Sequence, residues 1–197
     1  IEAVGWVGHD VWHAHCVQLD KDEIDLFART DTGIAHCPCS NMRLASGIAP
    51  IREMLDAGIN IGLGVDGSAS NDSGHMLSEA RQAMLLQRVM KTGDALTARQ
   101  SLAVATRGGA AVLGRDDIGQ LSPGFAADIA AFDCRGIDFA GAAWDLLAGL
   151  LFCGSSKASY TIINGKVIVD QGQLVTMDMP KLLENHYAMT ADLMRKA

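Results

Sequence analysis

Between Ile59 and Val65 the chain is a near-continuous apolar run threaded with glycines, and it ends on Asp66. A strand of that kind has both faces buried, which points to a parallel sheet covered by helices. Two similar alternations precede it. Val11–Val17 predicts a strand, followed by a helix that Asp20 caps and whose apolar face includes Ile24, Phe27 and Ala28. Gly33–His36 predicts a second strand, stopped by Pro38, and Ala49–Ala57 a second helix with Pro50 in its first turn and Gly58 at its end. Helices over Leu77–Met90 and Ala98–Ala105 follow. Repeated βα units of this kind define an α/β fold.

The pattern changes after residue 118. Gly119–Asp133 and Tyr160–Val175 read as β-structure, with Asn164-Gly165 as a two-residue hairpin turn and Gln171-Gly172 as a weaker one. Pro180–Arg195 predicts a closing amphipathic helix. The sequence therefore divides into βα units over 1–118, a β-rich stretch with an intervening helical segment over 119–178, and a terminal helix over 179–197. A closed (β/α)₈ barrel takes about 250 residues, so three βα units predict further strands upstream.

The charge balance excludes one class of partner. Sixteen Lys and Arg against 23 Asp and Glu leave a net charge of −7, without a basic stripe to meet a nucleic-acid backbone. A free nucleobase, which needs no phosphate-binding surface, stays compatible. The five cysteines are an odd number in a chain large enough to fold without staples, which predicts reduced thiols and a cytoplasmic setting. The opening IEAVGWVGHDVW has no secretory pattern, and the apolar stretch Trp144–Cys153 is too short to span a bilayer. No membrane is expected.

Several residues are candidates for chemistry. Asp66 lies at the carboxyl end of its strand, where parallel α/β folds hold their active sites, although an Asp there also starts loops and caps helices. In Trp12-His13-Ala14-His15-Cys16 the two histidines are spaced to share one strand face, so they form either a metal pair or one functional and one packing residue. The second reading is preferred, with His15 functional and His13 not. His36-Cys37-Pro38-Cys39 has no second Cys pair at zinc-site spacing, so its loop, through Ser40 and Asn41, is expected to line a pocket. Asn41 and Ser68 are candidates for contacting substrate. His75 reads as a capping or packing residue, and His9 and His186 as surface residues.

Three segments, AHCVQL (Ala14–Leu19), AHCPCSNMRLASGIAP (Ala35–Pro50) and GLGVDGSASND (Gly62–Asp72), resemble in order and spacing the sixth, seventh and eighth strands of the deaminase branch of the amidohydrolase superfamily. GQLSPGFAADIAAFD and Ile163–Val167 resemble that family's return into a small β-sandwich. The resemblance implies an α/β fold: the C-terminal part, strands six to eight, of a TIM-like barrel plus part of the sandwich. It implies one divalent metal, zinc or iron, with Asp66 as a ligand and as acceptor of the attacking water's proton. His15 matches the strand-six histidine beside that water, which sets it apart from His13. The remaining histidine ligands and a strand-five glutamate would come from an upstream segment of the same polypeptide, and activity would require it.

The wording is most similar to members of the branch that deaminate 8-oxoguanine, which implies hydrolysis of that free base to urate and ammonia. Guanine, isocytosine or a triazine is the alternative substrate. Two-metal cyclic-amide hydrolysis and a catalytically silent half-barrel module are the further alternatives. A homo-oligomer is compatible with all of them.

Overall fold

In the computed structural model, which describes residues 1–154 and 157–196, the apolar run becomes a strand shorter than expected. β3 covers only Ile61–Leu63, β1 Trp12–Ala14 and β2 Gly33–His36, and the three pair in parallel in the order β1-β2-β3. Ile34 lies opposite His13 on one side and Ile61 on the other. β3 is thus at the end of this sheet, and β2 is its central strand.

β1 stops early because the backbone turns. His15 and Cys16 take φ angles of 69° and 48°, in the left-handed region that ends an extended strand. The pairing reaches one residue further through the backbone alone, with His15 N–H donating to the Ala35 carbonyl at 2.9 Å. The equal-facing rule for residues two apart therefore fails for His13 and His15.

The helices follow the sequence signals with two corrections. α1 (Lys21–Thr30) opens on a capping box in which Asp20 Oδ1 accepts from Glu23 N–H and Glu23 Oε2 accepts from Asp20 N–H. The segment expected as a pocket-lining loop is instead a short helix, α2 (Pro38–Arg43), because Pro38 at its first position is already set for helical φ. α3 spans Ile51–Asp56 and α4 Met76–Met90. α5 (Ala98–Ala103) does not end where expected, but runs through a π-helical turn at Val104–Gly108 into α6 (Gly109–Val112).

Gly108 and Gly62 allow a contact that no side chain would permit. A Cβ on Gly108 would stand 2.0 Å from the Ile61 carbonyl oxygen, and one on Gly62 2.9 Å from Gly109 Cα. Helix backbone thus lies directly on strand backbone.

One apolar cluster joins Ile24 and Phe27 of α1, Ile34, Ile51 and Met54 of α3, and Ile59, Ile61 and Val104. A second joins Ala80, Ala83 and Met84 of α4 to Leu96, Ala98 and Leu151. Each large side chain so buried contributes about 1.5–3 kcal/mol. The buried Gln87 ties α4 to α3: its Nε2 donates to the Ala49 carbonyl and its Oε1 accepts from Arg52 N–H, both at 3.0 Å.

The chain forms two compact units, Ile1–Phe125 with Cys134–Ser155, and Ala126–Asp133 with Ser156–Ala197. The sequence reading put its first break after residue 118, whereas the units part at Phe125 and residues 134–155 return to the first. In that returning stretch α7 spans Leu146–Phe152. Of the β-structure expected over Gly119–Asp133, only β4 (Ile129–Ala131) forms. It joins β5 (Tyr160–Ile163), β6 (Lys166–Asp170) and β7 (Gln173–Leu174) in one antiparallel sheet in that order. Asn164-Gly165 turns β5 into β6 with φ of 47° and 77°, the doubly positive pattern that such hairpins need, and Gln171-Gly172 repeats it before β7. α8 (Met179–Lys196) closes the second unit and buries none of its residues. Among the described residues no helix is long and apolar enough to cross a membrane.

Candidate active site

Asp66 follows β3 by three residues, with φ at 62°. Its carboxylate is held from three sides. Ser40 Oγ donates to Oδ2 at 2.5 Å, Ser70 Oγ to Oδ2 at 3.0 Å, and Gly67 N–H to Oδ1 at 2.8 Å. The Ser40 hydroxyl foremost, then the Gly67 amide and the Ser70 hydroxyl, hold the Asp66 carboxyl below the usual carboxylate range. It is a carboxylate at neutral pH.

His15 faces it. The left-handed turn after β1 brings His15 Nε2 to 3.7 Å from Asp66 Oδ2, beyond hydrogen-bond length. His15 Nδ1 lies 2.8 Å from Asn41 Oδ1. An amide oxygen only accepts, so Nδ1 donates to it, and in the neutral ring Nε2 presents a lone pair toward Asp66. With the ring in that form, two acceptors converge on one point. What satisfies both is a water giving a hydrogen to each, or a cation.

The other candidates separate clearly. His13 stacks on Phe27 with ring centroids 5.2 Å apart and bonds the Trp6 carbonyl through Nε2 at 2.9 Å, so it is a packing residue. Asn41, expected to contact substrate, is 2% exposed, and its Oδ1 is engaged with His15. Ser68 lies exposed on the loop after Asp66. His75 stands at the N-terminal boundary of α4 without a side-chain cap bond.

The sequence reading missed Ser40 and Ser70 as partners of Asp66. Ser70 had a local signal, since hydroxyls near an Asp in a Gly-Ser stretch commonly close turns on it. Ser40 had none, being 26 residues away.

Around this pair, burial holds His36 and three thiols in their neutral forms. Burial, reinforced by the neighbouring His15, pushes His36 down to about 3. Burial first, with nearby acidic and thiol groups, pushes Cys16 and Cys37 up to about 11 and Cys39 up to about 12. A thiolate is the form that binds metal or attacks, and these thiols stay far from it.

Among the described residues no three His, Cys, Asp or Glu side chains stand together as a metal cage. The residues present nevertheless fit part of one. Asp66 is a charged oxygen donor fixed by three hydrogen bonds, and His15 is oriented through its far nitrogen as groups beside a metal commonly are. They suit one ligand and one neighbour of a divalent ion.

Comparison places the chain in a family. Residues 2–170 match the amidohydrolase family, and the chain belongs to it. It is 44% identical over 193 residues to an 8-oxoguanine deaminase from Pseudomonas aeruginosa, covering 98% of this chain and 43% of that protein. It is also 44% identical over 186 residues to a 5-methylthioadenosine/S-adenosylhomocysteine deaminase from Pelotomaculum thermopropionicum, covering 93% of this chain and 42% of that protein. Among solved structures it is similar to an adenosine deaminase from Xanthomonas campestris with bound zinc, at TM-score 0.93 and 33% identity over all of this chain and 45% of that one. It is similar too to the atrazine chlorohydrolase from Arthrobacter aurescens TC1 complexed with zinc, at TM-score 0.89 and 42% identity over 95% of this chain and 42% of that one. The chain thus spans less than half the length of each of these relatives.

Proposed function

We propose that this chain is the C-terminal part, barrel strands six to eight with part of the accompanying sandwich, of a hydrolytic deaminase acting on a free nucleobase. The substrate we assign is 8-oxoguanine. The observation that carries the reading is the convergence of Asp66 and His15 on one point. A divalent ion, zinc by analogy with the zinc-bound neighbours, would be held by Asp66 together with ligands from an upstream segment, and would supply Lewis-acid activation of water.

The residues of this chain do the following. Asp66 accepts a proton from the attacking water, since it is the carboxylate and its lone pairs face the gap. His15 Nε2 accepts a hydrogen bond from the same water and steadies the developing tetrahedral centre. Ser40 and Ser70 keep Asp66 charged and aimed. Water adds to the amino-bearing carbon, the C–N bond breaks, and the amine leaves as ammonia with the proton first taken up. From 8-oxoguanine the product is urate.

A second reading has specific support, because the methylthioadenosine-type deaminase shares the same 44% identity with this chain, over 186 residues against 193 for the 8-oxoguanine enzyme. The test is ammonia release by the complete protein on 8-oxoguanine, guanine, isocytosine, a triazine and 5-methylthioadenosine. Turnover of 8-oxoguanine at the highest kcat/KM supports the assignment. Preference for the nucleoside replaces the substrate while keeping the site, and silence on every compound sinks the enzymatic reading.

A further inference from the structure

Glu79 lies in α4 with no solvent exposure, yet every bond it makes leads toward the site. Its Oε2 accepts Cys39 N–H at 3.1 Å. Its Oε1 accepts from Asn71 Nδ2 at 2.6 Å, and that same amide donates to the Val65 carbonyl at 2.8 Å. Cys39 directly precedes Ser40 and Asn41, the residues that bond Asp66 and His15. Val65 directly precedes Asp66. One buried side chain is therefore bonded, directly or through Asn71, to both peptide segments that build the pair.

The chemistry of the group is specific to this task. Cys39 is the second residue of α2, where the N–H has no acceptor inside the helix, so it needs one from elsewhere. The two oxygens of Glu79 face two donors, the Cys39 amide and the Asn71 side chain. A carboxylate satisfies both, whereas an amide of the same shape would set a donor against a donor. On the exposed side Arg43 and Asp72 make a second tie between the same two segments. That pair is solvated and contributes little on its own. The interior tie is the one that can fix geometry.

We propose that Glu79 is a positioning residue: it clamps the Cys39–Asn41 and Val65–Asp66 segments together, so that Asp66 and His15 face one another at working distance. This rests on the reading of Asp66 and His15 as the reacting pair.

The test uses the complete protein with Glu79→Gln, Asn71→Ala and the double variant, read by hydrogen exchange and by steady-state kinetics on the best substrate of the panel. In Glu79→Gln, exchange should quicken together in segments 38–43 and 64–71 while segments 24–30 and 51–56 keep their protection. The kcat per folded molecule should fall roughly 10- to 100-fold, the scale seen when an orienting partner is lost, with KM little changed. The double variant should lose no more than the worse single one, because both act through one linkage. Exchange that quickens everywhere alike, loops that stay protected, or loosened loops with unaltered kcat would each overturn the clamp. If the unaltered protein turns over nothing while the two segments still loosen together, the clamp stands and the deaminase reading falls.

Discussion

His15 Nε2 stands 3.7 Å from Asp66 Oδ2 although β2 lies between the strands that carry them. The two side chains meet over the end of that central strand because each backbone turns left-handed just past its own strand, and because α2 contributes Ser40 and Asn41 from above. The site is thus a property of three strand ends taken together.

The roles of that pair separate by mutation. In the complete protein Asp66→Asn should remove nearly all ammonia release, since an amide binds a cation poorly and cannot take a proton. His15→Asn should retain metal and lose about 10²-fold in kcat and kcat/KM together. His13→Asn should show only a packing cost on Phe27. Metal content and kinetics of the three variants decide it. Metal lost in His13→Asn with activity retained in His15→Asn would reverse the assignment.

Ser40→Ala should act through pH. The Ser40 hydroxyl is the foremost cause of the lowered Asp66 pKa, so its loss raises that pKa. The acid limb of kcat/KM against pH should move upward, and the loss of activity should be greatest at the acid end. A limb that stays in place would show that Asp66 does not govern it.

His36 should make stability depend on pH. Its folded pKa of about 3 lies below the ordinary 6.5, so between these values the unfolded chain binds a proton that the folded one refuses. Stability therefore rises with pH through that window, by as much as about 1.4 kcal/mol per pH unit, and levels off above 6.5. Denaturant midpoints from pH 7 down to pH 4.5 should fall more steeply for the unaltered protein than for His36→Leu. Parallel curves would refute the assignment.

The backbone contact of α6 with β3 should tolerate nothing. Gly62→Ala is expected to cost about 1–3 kcal/mol, because its new Cβ meets Gly109 Cα, whereas Gly93→Ala meets open space and should cost little. Equal melting shifts for the two would contradict the close approach.

The parallel strands were legible in the sequence, because apolar runs, Asp20 and Gly58 are local signals that agree with the fold. So was the position of Asp66, just past a buried strand. The short strands and α2 were not legible. β1 is cut off by backbone angles at His15 and Cys16 that no residue type there announces, and Pro38 reads equally well as a strand stop and as a helix start. The supports of the site were hidden for another reason. Ser40 and Glu79 act across gaps of 26 and 40 residues that only the assembled fold closes.

Both residues that face each other across the gap have positive φ, 69° at His15 and 62° at Asp66. Such a conformation costs a non-glycine residue of order 1–3 kcal/mol, though His and Asp tolerate it better than most. Glycine would adopt either angle freely, so at these two positions thermal endurance and turnover pull in opposite directions. A lineage or an engineer selecting only for heat resistance would be drawn to replace the very groups that face each other across the gap.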